Sequence, residues 1–183
     1  MNVVLIGMKG SGKTTLGAAL ARRWGCAFHD VDTLIEAMYA CEAGRRKPVR
    51  EIFIERGPQG FARLESHVVC ELYLKLDQPG TRAVVALGGR TACNRTIREL
   101  LAGIGTLVYL RATPEVLFER VRAAGLPPFL DEEDPRAAFH AVYDERAPQF
   151  ESAAQITLDV DGLGVETALE ALAKRLEEYD HAG

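Results

Sequence analysis

The octapeptide Gly7-Met-Lys-Gly-Ser-Gly-Lys-Thr14 constrains this chain more than any other stretch. It fits the pattern G-x-x-x-x-G-K-[ST]. Glycines at these spacings let the backbone curl until its N–H groups converge on one point, where phosphate oxygens can sit. The preceding run, Asn2-Val-Val-Leu-Ile-Gly7, is continuous, apolar and β-branched. That suits a strand buried on both faces of a parallel sheet. In Thr14–Trp24, Leu16, Ala19, Leu20 and Arg23 follow helical spacing, and Gly25 supplies a stop. Strand, glycine turn and helix in that order are the context a phosphate loop requires, and the helix adds its positive amino-terminal end. Lys13 is expected to reach the β- and γ-phosphates of ATP, and Thr14 to offer its hydroxyl to Mg2+. Gly10, Ser11, Gly12 and Thr15 complete the expected cofactor-binding set.

The rest of the chain repeats the alternation. Strands are expected at Ala27–Val31, Ala83–Leu87, Thr106–Leu110 and Gln155–Val160. Helical stretches are expected at Thr33–Met38, Val49–Glu55, Phe61–Leu74, Thr96–Leu101, Arg136–Arg146 and Val165–Glu178. Thr113 is placed to cap a further helix, with Pro114 at its first position. Strands alternating with helices imply right-handed crossovers. The predicted fold class is therefore α/β: a three-layer αβα P-loop fold around a parallel five-stranded sheet. The 183 residues read as one domain, 1–183, with a helical substrate-binding region at 33–74 and a lid at 123–136.

Charge and cysteine content narrow the function classes. The net charge of −4 and the absence of a basic stripe argue against nucleic acid and anionic membranes. None of the four cysteines forms a C-x-x-C pair, so free thiols in a reducing compartment are expected rather than zinc or disulfides. No apolar run approaches the ~20 residues of a membrane span, and Val3–Ile6 is too short for a signal-peptide core. A cytoplasmic location is expected.

Asp30-Val-Asp32 closes the second predicted strand. Acids at i and i+2 face the same side of an extended chain, so both can reach one site. One can orient a magnesium-bound water while the other accepts a proton from a substrate hydroxyl. The alternative left open is that Asp32 caps the next helix and Asp30 is a turn acid.

At these residues the chain resembles the shikimate kinase family. The resemblance runs from Asn2 to about Leu158. It joins Gly7–Thr14 and Asp30-x-Asp32 with Leu34-Ile35-Glu36, Glu51-Ile52-Phe53, Gly57, Phe61 and Glu65. It continues through Ala86-Leu87-Gly88-Gly89, Val108-Tyr109-Leu110, Arg120, Glu145-Arg146-Ala147-Pro148 and Ala154. The resemblance implies that Lys13 and Thr14 serve phosphates and magnesium and that Asp30 supports the metal shell. It implies that Asp32 binds acceptor hydroxyls and acts as base, and that Gly88 and Gly89 let backbone approach the substrate. Arg120 resembles the arginine that packs on adenine, and Arg146 the one that grips the substrate carboxylate. The metal set is then Thr14 and Asp30.

The sequence also departs from the family pattern. Where the family has Phe-Arg-x-x-Glu, this chain has Phe61-Ala62-Arg63-Leu64-Glu65, so Ala62 replaces a second carboxylate-binding arginine. Arg90 stands where a third glycine is usual, Pro127-Pro128-Phe129-Leu130 replaces a lid motif carrying arginine, and Phe150 replaces a tyrosine. Tyr39–Arg46 contains an insertion that adds Arg45, Arg46 and Lys47. Arg90, Arg63 and that basic cluster are the candidate replacement cations. The expected activity is ATP-dependent phosphorylation of a hydroxyl on a small acidic metabolite, shikimate if the family activity is kept. Another hydroxy acid or sugar acid, such as gluconate, is the alternative acceptor. A weakly catalytic nucleotide-binding regulatory protein is the alternative of a different class. A monomer is expected, with a dimer as the other possibility.

Overall fold

The fold is that of a computed structural model, which describes residues 1–78, 80–126, 130 and 133–182. Its elements in order are β1 (Val3–Ile6), α1 (Lys13–Trp24), β2 (Ala27–Asp30), α2 (Val31–Ala43) and α3 (Val49–Leu76). Then come β3 (Ala83–Ala86), a 3-10 turn at Thr91–Cys93, α4 (Arg95–Ile104), β4 (Thr106–Arg111) and α5 (Pro114–Ala123). The last are α6 (Pro135–Ala153), β5 (Ile156–Asp159) and α7 (Val165–Ala182).

The five strands form one parallel sheet in the order β2-β3-β1-β4-β5. Sequence composition explains the order. β1 and β3 are apolar at every position and fully buried, as central strands covered on both faces must be. β2 and β5 carry polar residues and are partly exposed, as suits the two edges. β2 and β3 lie on one side of β1, and the connection from β3 crosses to β4 on its other side, so the winding reverses at β1, the kind of switch point where doubly wound sheets bind ligands. The glycine loop emerges there.

Two helices differ from their expected extents for identifiable reasons. The stretches expected at 49–55 and 61–74 are halves of α3, kinked at Gly57 (φ 64°, ψ 175°) with Pro58 beginning the second half. The helix expected to end at Arg146 runs through Pro148 to Ala153. A proline inside a helix costs about 3 kcal/mol. Here the continuation buries Ala147 and Phe150, and the Phe150 ring lies 5.4 Å from that of Tyr109 on β4. Thr113 does occupy the cap position of α5, but its side chain does not cap. Its backbone N–H donates instead to the Asp161 carboxylate.

The inserted basic stretch is tied back to α3. The Tyr39 hydroxyl, the Arg45 guanidinium and the Lys47 ammonium all donate to the Glu55 carboxylate. The hydrogen bonds from Lys47 and Tyr39, with the Arg45 charge behind them, hold the Glu55 carboxyl down at about 2. Of the candidate replacement cations, Arg45 and Lys47 are thus paired with Glu55. Among the described residues, no helix is long and apolar enough to cross a membrane.

Candidate active site

The phosphate loop needs backbone that only glycine adopts readily. Gly10 and Gly12 have φ of 87° and 89°, and Gly12 is the cap of α1. The cradle is closed on itself at buried Ser11, whose N–H donates to the Met8 carbonyl at 3.2 Å. Lys13 lies back across the loop, its Nζ donating to the carbonyls of Gly7 (3.0 Å) and Met8 (2.8 Å). Burial lowers its pKa to about 8, against the opposing pull of Asp32 and Asp30. A buried ammonium with two carboxylates near it is a charge held ready for phosphate oxygens. Thr14 and Thr15 open to solvent at the mouth of the loop.

Asp30 and Asp32 divide the work at the end of β2. Asp30 is the cap of α2, its Oδ1 accepting from the backbone N–H groups of Asp32 (3.0 Å) and Thr33 (3.3 Å). Its Oδ2 accepts from the Thr14 hydroxyl at 2.7 Å. The capping acid is therefore Asp30, where the alternative reading of the sequence had Asp32. The Asp32 side chain lies instead against the turn after β3, its Oδ1 beside Gly88. Burial and the neighbouring Asp30 charge raise its pKa above the usual carboxylate range.

β3 delivers the third wall. A Cβ on Gly88 would lie 2.9 Å from Asp32 Oδ1 and 3.0 Å from the Thr91 hydroxyl. One on Gly89 would lie 3.1 Å from the Lys9 backbone nitrogen. Both glycines therefore permit close approach between the β3 turn, the phosphate loop and Asp32. Arg146 on α6 reaches the same turn, its guanidinium 3.3 Å from the Gly89 carbonyl. Burial, partly offset by the nearby Cys93, lowers the Arg146 pKa, and the Arg90 charge adds to the lowering. Arg120, exposed on α5, donates to the Gly10 carbonyl at 3.2 Å. It stands at the rim of the nucleotide loop.

Two residues belong to the site although the sequence assigned them no role. Glu65 on α3 is buried, and its carboxylate accepts from the hydroxyl of Thr91, which is fully buried. Burial raises the Glu65 pKa, opposed by the Thr91 bond, with Asp32 adding to the rise. The pair spans 26 residues and two elements, which no local pattern announces. The expected lid at 123–136 is described only in part. Pro127, Pro128, Phe129, Asp131 and Glu132 lie outside the described residues. Of its remaining acids, Asp134 caps α6 by accepting from the Ala137 N–H at 3.0 Å.

Comparison with known proteins gives this geometry a family. The sequence model described as shikimate kinase matches residues 9–177. The chain belongs to the shikimate kinase family. A shikimate kinase of Symbiobacterium thermophilum is 35% identical over 185 residues, covering 100% of both chains. One of Thiobacillus denitrificans is 37% identical over 158 residues, covering 86% of this chain and 80% of that one. The solved structure of the Acinetobacter baumannii shikimate kinase in complex with shikimate is 28% identical with a TM-score of 0.82. It covers 97% of this chain and 93% of that one. Shikimate kinases use ATP, and this chain is an ATP-dependent phosphotransferase with an alcohol as acceptor.

Proposed function

We propose that this shikimate kinase family member transfers the γ-phosphoryl group of ATP to a ring hydroxyl of shikimate, with Mg2+ as the metal. The observation that carries the reading is the meeting of a phosphate loop, a carboxylate not used as a helix cap and an arginine at one end of the sheet. Thr14 touches Asp30, the Asp32 carboxylate lies under Gly88, and Arg146 reaches Gly89. An acceptor hydroxyl near Asp32 and an acceptor carboxylate near Arg146 fit that spacing of charge.

The Thr14 hydroxyl and the Asp30 carboxylate are hard oxygen donors, already 2.7 Å apart. One or two such donors, completed by phosphate oxygens and water, suit Mg2+. When bound there, the ion neutralises charge on the transferring phosphoryl oxygens. The protein's own residues do the rest. The loop N–H groups and Lys13 orient the β- and γ-phosphates. Asp32, ionised, accepts the proton of the attacking hydroxyl. Its raised pKa makes it a better base than an exposed aspartate, provided the pH keeps it ionised. Arg146 fixes the acceptor in register, which converts binding energy into orientation. Arg120 flanks the adenine end of the nucleotide.

A second acceptor reading, another hydroxy acid or sugar acid such as gluconate, is favoured by one observation: position 62 is alanine. A coupled ADP-release assay with shikimate, quinate and gluconate separates the two. Shikimate is expected to give the highest kcat/KM. A higher value for another acid would reassign the acceptor, and no stimulation by any of them would remove the kinase reading of this site.

A further inference from the structure

The turn after β3 places a second guanidinium beside Arg146. Arg90 precedes the 3-10 turn, and that turn is rigid: the Thr91 N–H donates to the Gly88 carbonyl and the Cys93 N–H to the Arg90 carbonyl. The adjoining Thr91 side chain is anchored on Glu65. Arg90 therefore leaves the turn from a fixed backbone position. Its side chain and that of Arg146 line one small cleft of about 180 Å³, with Cys93, Asn94, Glu145 and Gln149 completing the wall. Glu145 is the acid of this wall, and the buried Glu65 carboxyl behind it also interacts with both arginines. Burial lowers the Arg146 pKa, and the Arg90 charge across the cleft adds to that lowering. Among the described residues no hydrogen bond or ion pair engages the Arg90 side chain. The cations of the inserted stretch differ, since Arg45 and Lys47 are held by Glu55.

We infer that Arg90 is a specificity-determining residue: its guanidinium and that of Arg146 grip the acceptor carboxylate from two sides. The inference rests on the acceptor reading above and adds the residue that replaces the arginine missing at position 62. A carboxylate placed between the two guanidiniums accepts charge-assisted hydrogen bonds from both. Arg90 thus makes the cleft select for acid over neutral acceptors.

The test compares Arg90→Ala, Arg90→Lys and the wild type with shikimate and with its methyl ester, in steady state at saturating ATP. Arg90→Ala is expected to raise the KM for shikimate about tenfold or more, the scale of one lost charge-assisted contact. It should leave kcat and the KM for ATP within about threefold of wild type, the margin below one such contact. The KM for the ester should stay as it is in the wild type, and Arg90→Lys should fall between. An unchanged KM for shikimate, or an equal rise for acid and ester, overturns the role of Arg90 alone. A wild type that turns over no carboxylate-bearing acceptor overturns the acceptor reading and this inference together.

Discussion

The two sides of the cleft are built on different principles. The nucleotide side is local: Gly7–Thr14 makes its own cradle, and Lys13 bonds to carbonyls only five and six residues away. The acceptor side is assembled from distant pieces. Glu65 meets Thr91 across 26 residues, and Arg146 meets Gly89 across 57. A local device must be kept whole to work, because every part of it touches the same phosphates. A composite wall can exchange one cation for another, provided the new one reaches the same cleft. Alanine at position 62 together with Arg90 at the β3 turn is an arrangement that a composite wall can accommodate.

That contrast breaks most visibly at Lys13. Lys13→Ala should lower kcat by about 10³-fold or more, since a buried charge aimed at the transferring group is lost. ADP release in single-turnover assays measures it, and activity near wild type would dissolve the contrast. In the wild type, nucleotide affinity should weaken as pH rises through about 8, where the nucleotide-free lysine loses its proton. The linkage to stability has the opposite sense. The folded pKa is lowered, so the folded state holds fewer protons between about 8 and 10.5, and nucleotide-free stability should rise across that window.

Asp32 sits where the two sides meet, and its removal should cost next most. Asp32→Asn should reduce kcat by about 10²-fold or more, the usual scale for a general base. The wild-type kcat/KM should fall on the acid side as pH drops through the raised Asp32 pKa, above the range of an ordinary aspartate. Loss of that acid limb in the variant would confirm the assignment. Retention of the same limb would move the base elsewhere.

On the acceptor side the effect should be on binding. Arg146→Ala should raise the acceptor KM by about tens-fold, from a lost contact of about 2 kcal/mol or more, with nucleotide affinity nearly constant. Equal loss of ATP and acceptor binding would mean that the arginine only supports the Gly89 turn.

The smallest effect should come from the inserted stretch. Glu55→Gln should leave both Michaelis constants unchanged and lower the melting temperature slightly at neutral pH. The folded Glu55 pKa is depressed from 4.5 to about 2, so its contribution is complete above 4.5 and is lost as pH falls toward 2. The difference in melting temperature from wild type should shrink over that interval. A changed acceptor KM would put Arg45 and Lys47 back among the substrate cations.

Much of this was legible in the residues themselves. The central strands were marked by short apolar runs, because parallel strands buried on both faces must be apolar, while the edge strands β2 and β5 mixed apolar and polar residues. The phosphate loop was legible because its chemistry is written in eight consecutive residues. The division between Asp30 and Asp32 was not, since either acid can cap a helix and only the orientation at the end of β2 decides. The Glu65–Thr91 bond was hidden because a buried polar pair across two elements leaves no periodic trace. The commitment of Arg45 and Lys47 to Glu55 was hidden for a related reason: a basic run looks the same whether it faces an anion in solution or a carboxylate one helix away. The passage of α6 through Pro148 required knowing that Phe150 would reach Tyr109.

One measurement reaches the centre of the account. Phosphorus and proton nuclear magnetic resonance of a reaction containing the protein, ATP, Mg2+ and shikimate identifies the product directly. The account predicts ADP and a shikimate monophosphate ester in equal amounts. ADP accompanied by free inorganic phosphate and unchanged shikimate would contradict it, as would ATP left intact.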